Sequence, residues 1–142
     1  MKKLNTIILL DDSNAANAIN SAIIKEMNIA ENIILMNKTS TALDYLKNEN
    51  KQSYPIPELI LLDIEMPDED GFEFLKNYSD LDQSVTNSFS PIIVILSNHI
   101  TPENFTKGKD YRLVGVECIL RKPMEREDIE DVLEEHFDFN FN

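Results

Sequence analysis

Glycine is scarce: the 142 residues hold only Gly71, Gly108 and Gly115. None stands in a Gly-x-x-x-x-Gly-Lys-Ser/Thr loop or a Gly-x-Gly-x-x-Gly turn, so P-loop hydrolases and dinucleotide binders are excluded. Cysteine is scarcer still. The single Cys118 rules out an intrachain disulfide, and its place in an apolar run reads as a buried, inert thiol. Positive charge is also short, with 13 basic against 26 acidic residues and a net charge of −13. That balance argues against nucleic acid or an anionic membrane surface as a direct partner. Long apolar runs are missing. Met1 to Thr6 lead into only four aliphatic residues before two aspartates, too few for a signal-peptide core or a membrane span, and the chain reads as cytoplasmic.

What is present is a series of short, unbroken aliphatic runs. Ile7-Ile8-Leu9-Leu10 ends at Asp11-Asp12, Ile33 to Met36 follows, and Leu59-Ile60-Leu61-Leu62 ends at Asp63. Pro91 to Leu96 ends at Ser97, and Val114 to Leu120 ends at Arg121-Lys122-Pro123. Runs this short, bounded by turn residues, read as strands buried on both faces. Helical segments lie between them. The first starts at Asp12 or Ser13, with Ile19, Ile23 and Met27 on its inner face. The second starts at Thr39 or Ser40, buries Ala42, Leu43 and Leu46, and frays in 48–52. A third runs from Phe72 to about Tyr78 behind Gly71, with Phe72 and Leu75 on one face. Ser79 to Ser90 is polar and unpatterned, a long surface loop. Thr101-Pro102-Glu103 opens a weak helix, and a last one runs from about Glu125 to His136 over Ile129, Val132 and Leu133.

Strands alternating with helices predict an α/β fold: a doubly wound five-stranded parallel sheet, order 2-1-3-4-5, helices on both faces. Ligands bind such sheets beyond the carboxyl ends of the strands, at the switch point between strands 1 and 3. Asp11, Asp12 and Asp63 converge there, flanked by Ser97 and Lys122. Singly, each has a plain reading: Asp63 as a turn residue, Asp11-Asp12 as a solvated cap, Lys122 as a snorkelling lysine, Ser97 as a strand-end hydroxyl. Together they differ. Crowded carboxylates repel unless a cation joins them, and oxygen ligands without His or Cys suit Mg²⁺ before Zn²⁺. A divalent cation, an ammonium and a hydroxyl around one carboxylate describe a site for a phosphoryl group.

On these residues the chain resembles the response-regulator receiver family, from Ile7 to about Phe137. The shared motifs are Asp11-Asp12, then Asp63-x-x-Met66-Pro67-x-x-x-Gly71, then Ser97, then Lys122-Pro123. The resemblance implies a receiver domain over 4–137 and a tail over 138–142. It implies phosphoryl transfer from a phosphohistidine to Asp63, with a sensor histidine kinase or histidine phosphotransfer protein as donor. Mg²⁺ would be held by Asp12 and Asp63, by Asp11 directly or through water, and by the backbone carbonyl of Glu65. Ser97 and Lys122 would grip the phosphoryl oxygens, with a cis Lys122-Pro123 bond. The output partner is unnamed, and the state expected is a monomer or a phosphorylation-dependent homodimer. With no output domain after the tail, the chain reads as a stand-alone receiver, a signalling protein and not an enzyme.

The alternative is a degenerate receiver that docks on proteins without cycling phosphate. Other readings fit less well: Met66 and Asn77 would hold the first and last ligand positions of a calcium loop around 68–71, and Glu65 stands where a haloacid-dehalogenase-like phosphatase needs Asp. An FMN site would want hydroxyls where Asp11 and Asp12 lie. The side chains of Glu65 and His99 are expected to overhang the crevice. Ile119 replaces the aromatic residue usual three positions before the lysine, and is expected to be buried. Phe137, Phe139 and Phe141 alternate with polar residues, the period of a strand that could add to a sheet edge or dock on a partner, or else of a frayed tail.

Overall fold

The computed structural model describes residues 2–47, 55, 57–67, 69–81 and 91–141. The expected fraying of 48–52 and most of the 79–90 loop lie outside them. Five strands form one parallel sheet: β1 (Leu4–Leu10), β2 (Ala30–Met36), β3 (Pro57–Asp63), β4 (Ile92–Ser97) and β5 (Val116–Arg121), in the order β2-β1-β3-β4-β5. Five α-helices are among the described residues: α1 (Asn14–Met27), α2 (Thr39–Lys47), α3 (Gly71–Ser79), α4 (Pro102–Lys109) and α5 (Arg126–His136).

The aliphatic runs serve two cores because successive residues of a strand face opposite ways. Ile8, Leu10, Ile60 and Leu62 join Ala42, Leu43, Leu46, Phe74, Leu75 and Tyr78 on the α2–α3 face. Ile7, Leu9, Leu59 and Leu61 join Ile24, Met27, Ile129, Val132 and Leu133 on the α1–α5 face. Both faces are covered, so a continuous apolar run is what the central strands require.

The register brings the polar strand ends level. Leu10 pairs with Leu62, Asp63 with Leu96, and Ser97 with Arg121, so Asp11, Asp63, Ser97 and Lys122 share one rim. Gly71 lets α3 begin close beneath that rim: a Cβ there would lie 2.8 Å from Ile64 Cα and 2.9 Å from the Asp63 carbonyl oxygen. Asp70 caps the helix, its carboxylate accepting from Glu73 N.

Three expectations change. The inner face of α1 is Asn17, Asn20, Ser21, Ile24 and Met27, while Ile19 is 61% exposed. Residues four apart drift around a 3.6-residue helix, and Ser13, capping through Ala16 N, sets a phase that turns Ile19 to water. Strand β5 starts at Val116, two residues after the expected Val114, because Arg112–Val114 is a 3-10 turn closed by Gly115 at φ 114°. A Cβ at Gly115 would lie 2.5 Å from the Pro91 carbonyl oxygen. The Phe-rich segment neither adds a strand nor frays. Phe137, Phe139 and Phe141 are half-buried on the α1–α5 core, Phe139 N donates to Leu133 O at 3.2 Å, and Lys2 Nζ lies 5.3 Å from the Phe139 ring centroid.

Candidate functional site

Asp11, Asp12 and Asp63 each offer a carboxylate oxygen, and the three oxygens lie within 4.8 Å of one another. Asp11 and Asp63 are buried, while Asp12 is exposed at the mouth. Asp11 is fixed from three sides. Its N–H continues the ladder to Met36 O, its Oδ1 accepts from Ser13 N at 2.9 Å, and its carbonyl accepts from Asn17 Nδ2 at 3.1 Å. Asn17 Nδ2 also donates to Met36 O at 3.1 Å, tying the ends of β1 and β2 together. Sequence reasoning passed over Asn17. Its signal was the helical spacing Asn17, Asn20, Ser21, Ile24, a face written in polar residues that a search for apolar periodicity does not see.

Lys122 joins the two buried carboxylates, its Nζ lying 3.0 Å from Asp11 Oδ2 and 2.9 Å from Asp63 Oδ1. Its own backbone is held by Lys122 N donating to Ser97 O at 2.9 Å, and the Lys122-Pro123 bond is cis, as the sequence suggested. Burial opposes its charge, but the bonds to Asp63 and Asp11 outweigh that and hold the ammonium above its usual range. Asp63 goes the other way for a carboxylate. Burial, and secondarily the charge of Asp11, push it up to about 6 against hydrogen bonds from Lys122 and from Glu65 N at 3.0 Å. A carboxyl so raised gives up its proton only as pH rises past about 6, and added positive charge beside it would ease that loss. The donor set is oxygen only, the chemistry of a hard divalent cation.

Ser97 is fully buried at the end of β4. Its hydroxyl bonds to Glu65 Oε2, lies 2.8 Å from His99 O, and accepts from His99 N at 3.0 Å. Glu65 Oε1 accepts from Asn98 N at 2.8 Å. The Glu65 side chain therefore does not hang over the crevice; it folds onto the loop after β4. The His99 side chain is exposed, and it is the His99 backbone that takes part. Burial raises the Glu65 carboxyl, but bonds from Ser97, Asn98 and His99 outweigh it and leave the group below the usual carboxylate range.

Ile119 is half-buried rather than buried. It lies on the edge strand, and α4 presents Gly108 to it: a Cβ on that glycine would lie 3.0 Å from Ile119 Cδ1. With no side chain opposite, a groove of about 190 Å³ opens between α4 and β5, lined by Phe105, Arg112, Cys118 and Ile119 among others. Cys118 is half-buried as well, its thiol pushed up to about 11 by burial and by Glu135, Glu117 and Asp128. No helix among the described residues is long and apolar enough to cross a membrane.

Known proteins are similar to the chain in sequence and, among solved structures, in fold. The chain is 28% identical over 94 residues to the response regulator Rcp1 of Synechocystis sp., across 66% of this chain and 62% of that protein. It thus spans less than two thirds of that relative. It is 26% identical over 132 residues to the probable methanogenesis regulatory protein FilR2 of Methanothrix harundinacea, across 91% of this chain and 79% of that one. A two-component response regulator from Cytophaga hutchinsonii superposes with a TM-score of 0.81 at 22% identity, covering 97% of this chain and all of that one, which bears on the fold alone. The sequence model of the response regulator receiver domain matches residues 7–134. The chain belongs to the response regulator receiver domain family, a module of two-component signalling.

Proposed function

We propose that the chain accepts a phosphoryl group from a phosphohistidine onto Asp63, in the presence of Mg²⁺, and answers by changing its contacts with other proteins. The observation that carries this reading is Lys122 spanning Asp11 and Asp63 at 3.0 and 2.9 Å inside a cluster of three carboxylates. Asp11, Asp12, Asp63 and the backbone carbonyl of Glu65 would hold the Mg²⁺. When bound, it would supply positive charge to the phosphoryl oxygens.

The remaining chemistry belongs to the chain. Lys122 and Glu65 N both bond Asp63 Oδ1, which leaves Oδ2 to attack phosphorus. The new bond is Oδ2–P. The bond that breaks is P–N of the phosphohistidine, whose electron pair returns to the imidazole nitrogen. Lys122 would then donate to the phosphoryl oxygens from the place it already occupies, and Ser97 from one strand further along the rim. The donor would be a sensor histidine kinase or a histidine phosphotransfer protein. The receiver of the signal is a downstream protein, and the chain itself acts as a monomer or as a phosphorylation-dependent homodimer.

Intact mass after exposure to acetyl phosphate, with and without Mg²⁺, tests the reading. A one-phosphoryl increase is expected only with Mg²⁺, and Asp63→Asn should abolish it. An undiminished increase in Asp63→Asn, or none in the native chain, overturns the assignment.

A further inference from the structure

Glu65 bridges the loops that follow β3 and β4. It sits in the loop after β3, two residues beyond Asp63, and both its carboxylate oxygens are spent on the connection between β4 and α4: Oε2 on the Ser97 hydroxyl, Oε1 on Asn98 N at 2.8 Å. The connection continues to the helix. Asn104, in the first turn of α4, donates from Nδ2 to His99 O at 2.9 Å, and Thr101 caps the same turn through Asn104 N at 3.0 Å. A continuous set of bonds therefore runs from Glu65 through residues 97–99 into α4.

Ser97 has one proton to give. Two acceptors lie within reach, Glu65 Oε2 and His99 O, and the ionised carboxylate makes the stronger bond. The same proton is the one a phosphoryl group on Asp63 would require. One hydroxyl cannot donate to both, so the two bonds exclude each other. Charge acts in the same direction. A phosphoryl dianion arriving on Asp63 would repel the neighbouring carboxylate in a half-buried site, where screening by water is weak. Once Ser97 is taken, Asn98 N loses its acceptor as the carboxylate leaves, and both bonds to the loop break together. Helix α4 has little core to hold it, since its single buried residue is Gly108.

We propose that Glu65 is a latch: it competes with the phosphoryl group for the Ser97 hydroxyl and holds the β4–α4 connection in its unphosphorylated arrangement. It is a positioning residue, acting through Ser97. The inference rests on the reading of Asp63 as phosphoacceptor, and it assigns to that site a built-in competitor that sets how tightly phosphoryl groups are held and how far α4 moves.

Beryllofluoride with Mg²⁺ serves as the phosphoryl mimic, and amide hydrogen exchange over residues 97–109 reports on the loop and helix. In Glu65→Ala without mimic, exchange in this segment should rise toward the level of the mimic-bound native chain. Affinity for the mimic should tighten by about tenfold, the worth of one charge-assisted bond. Glu65→Gln keeps the shape and an acceptor but loses the charge, and should tighten binding by about threefold. It carries the same test should Glu65→Ala fold poorly. In a Ser97→Ala background the gain from Glu65→Ala should shrink to about twofold or less, since the competed proton is gone. Unchanged exchange and affinity in both Glu65 variants, with the native chain binding the mimic, overturns the latch alone. So does a full gain that persists without the Ser97 hydroxyl, which would mean simple charge repulsion. Failure of the native chain to bind the mimic overturns the phosphoacceptor reading itself.

Discussion

Asp63 is the residue on which stability and function pull apart. Its carboxyl stands near 3.8 in an unfolded chain and is pushed up to about 6 when folded, by burial first. The folded state therefore favours the protonated form. Stability from this group is fullest below the unfolded value and declines as pH rises through the folded one. In buffer with a chelator, Asp63→Asn should be more stable than the native chain above pH 6, by about 1–3 kcal/mol, with the gap closing as pH falls toward 4. Urea unfolding at several pH values measures it, and a gap that ignores pH would show that burial of the charge is not its cause. At this scale the sequence was legible where a side chain ends a strand, because the period of two and the sheet order dictate where it points. It misled on Glu65, expected over the crevice, because a loop sets its direction and turns it onto Ser97 and Asn98. It misled on Ile119, because burial on an edge strand depends on the residue opposite, and that residue is a glycine.

Helices were legible by existence and blurred by phase. The caps of α1, α3 and α4 are all short polar side chains, Ser13, Asp70 and Thr101, each accepting from a backbone N–H three residues on. Phase failed in α1, where polar Asn17 and Asn20 take inner positions and Asn17 serves the rim through Asp11 O and Met36 O. Helix α4 shows the converse, an element with almost nothing to bury. Gly108 costs it about 1 kcal/mol of helix propensity relative to alanine. A Cβ there would press on the tip of Ile119, 3.0 Å away, but that side chain borders an open groove and has room to turn. Gly108→Ala should therefore raise stability by about 0.5 kcal/mol and slow exchange of the α4 amides. A loss of more than about 1 kcal/mol would mean that Ile119 cannot yield.

For the molecule as a whole, the order β2-β1-β3-β4-β5 was readable because five aliphatic runs separated by helices leave few right-handed ways to wind. The tail was not, since alternation declares one apolar side without naming what covers it. Here the covering surface is the chain's own α1–α5 core. Truncation after His136 should accordingly cost about 2–4 kcal/mol, the worth of three half-buried phenylalanines. An unchanged urea midpoint would show that their docking contributes nothing. The same docking has a geometric corollary. Lys2 Nζ meets Asp138 O at 3.3 Å, so the two ends of the described chain come within a lysine side chain's reach of each other, beside the amino end of β1. Asp11 lies at the strand's other end, roughly 20 Å away. A fold that departs where it arrived can be spliced into a surface loop of a host protein without prising the host apart, and its working rim would face outward, clear of the splice.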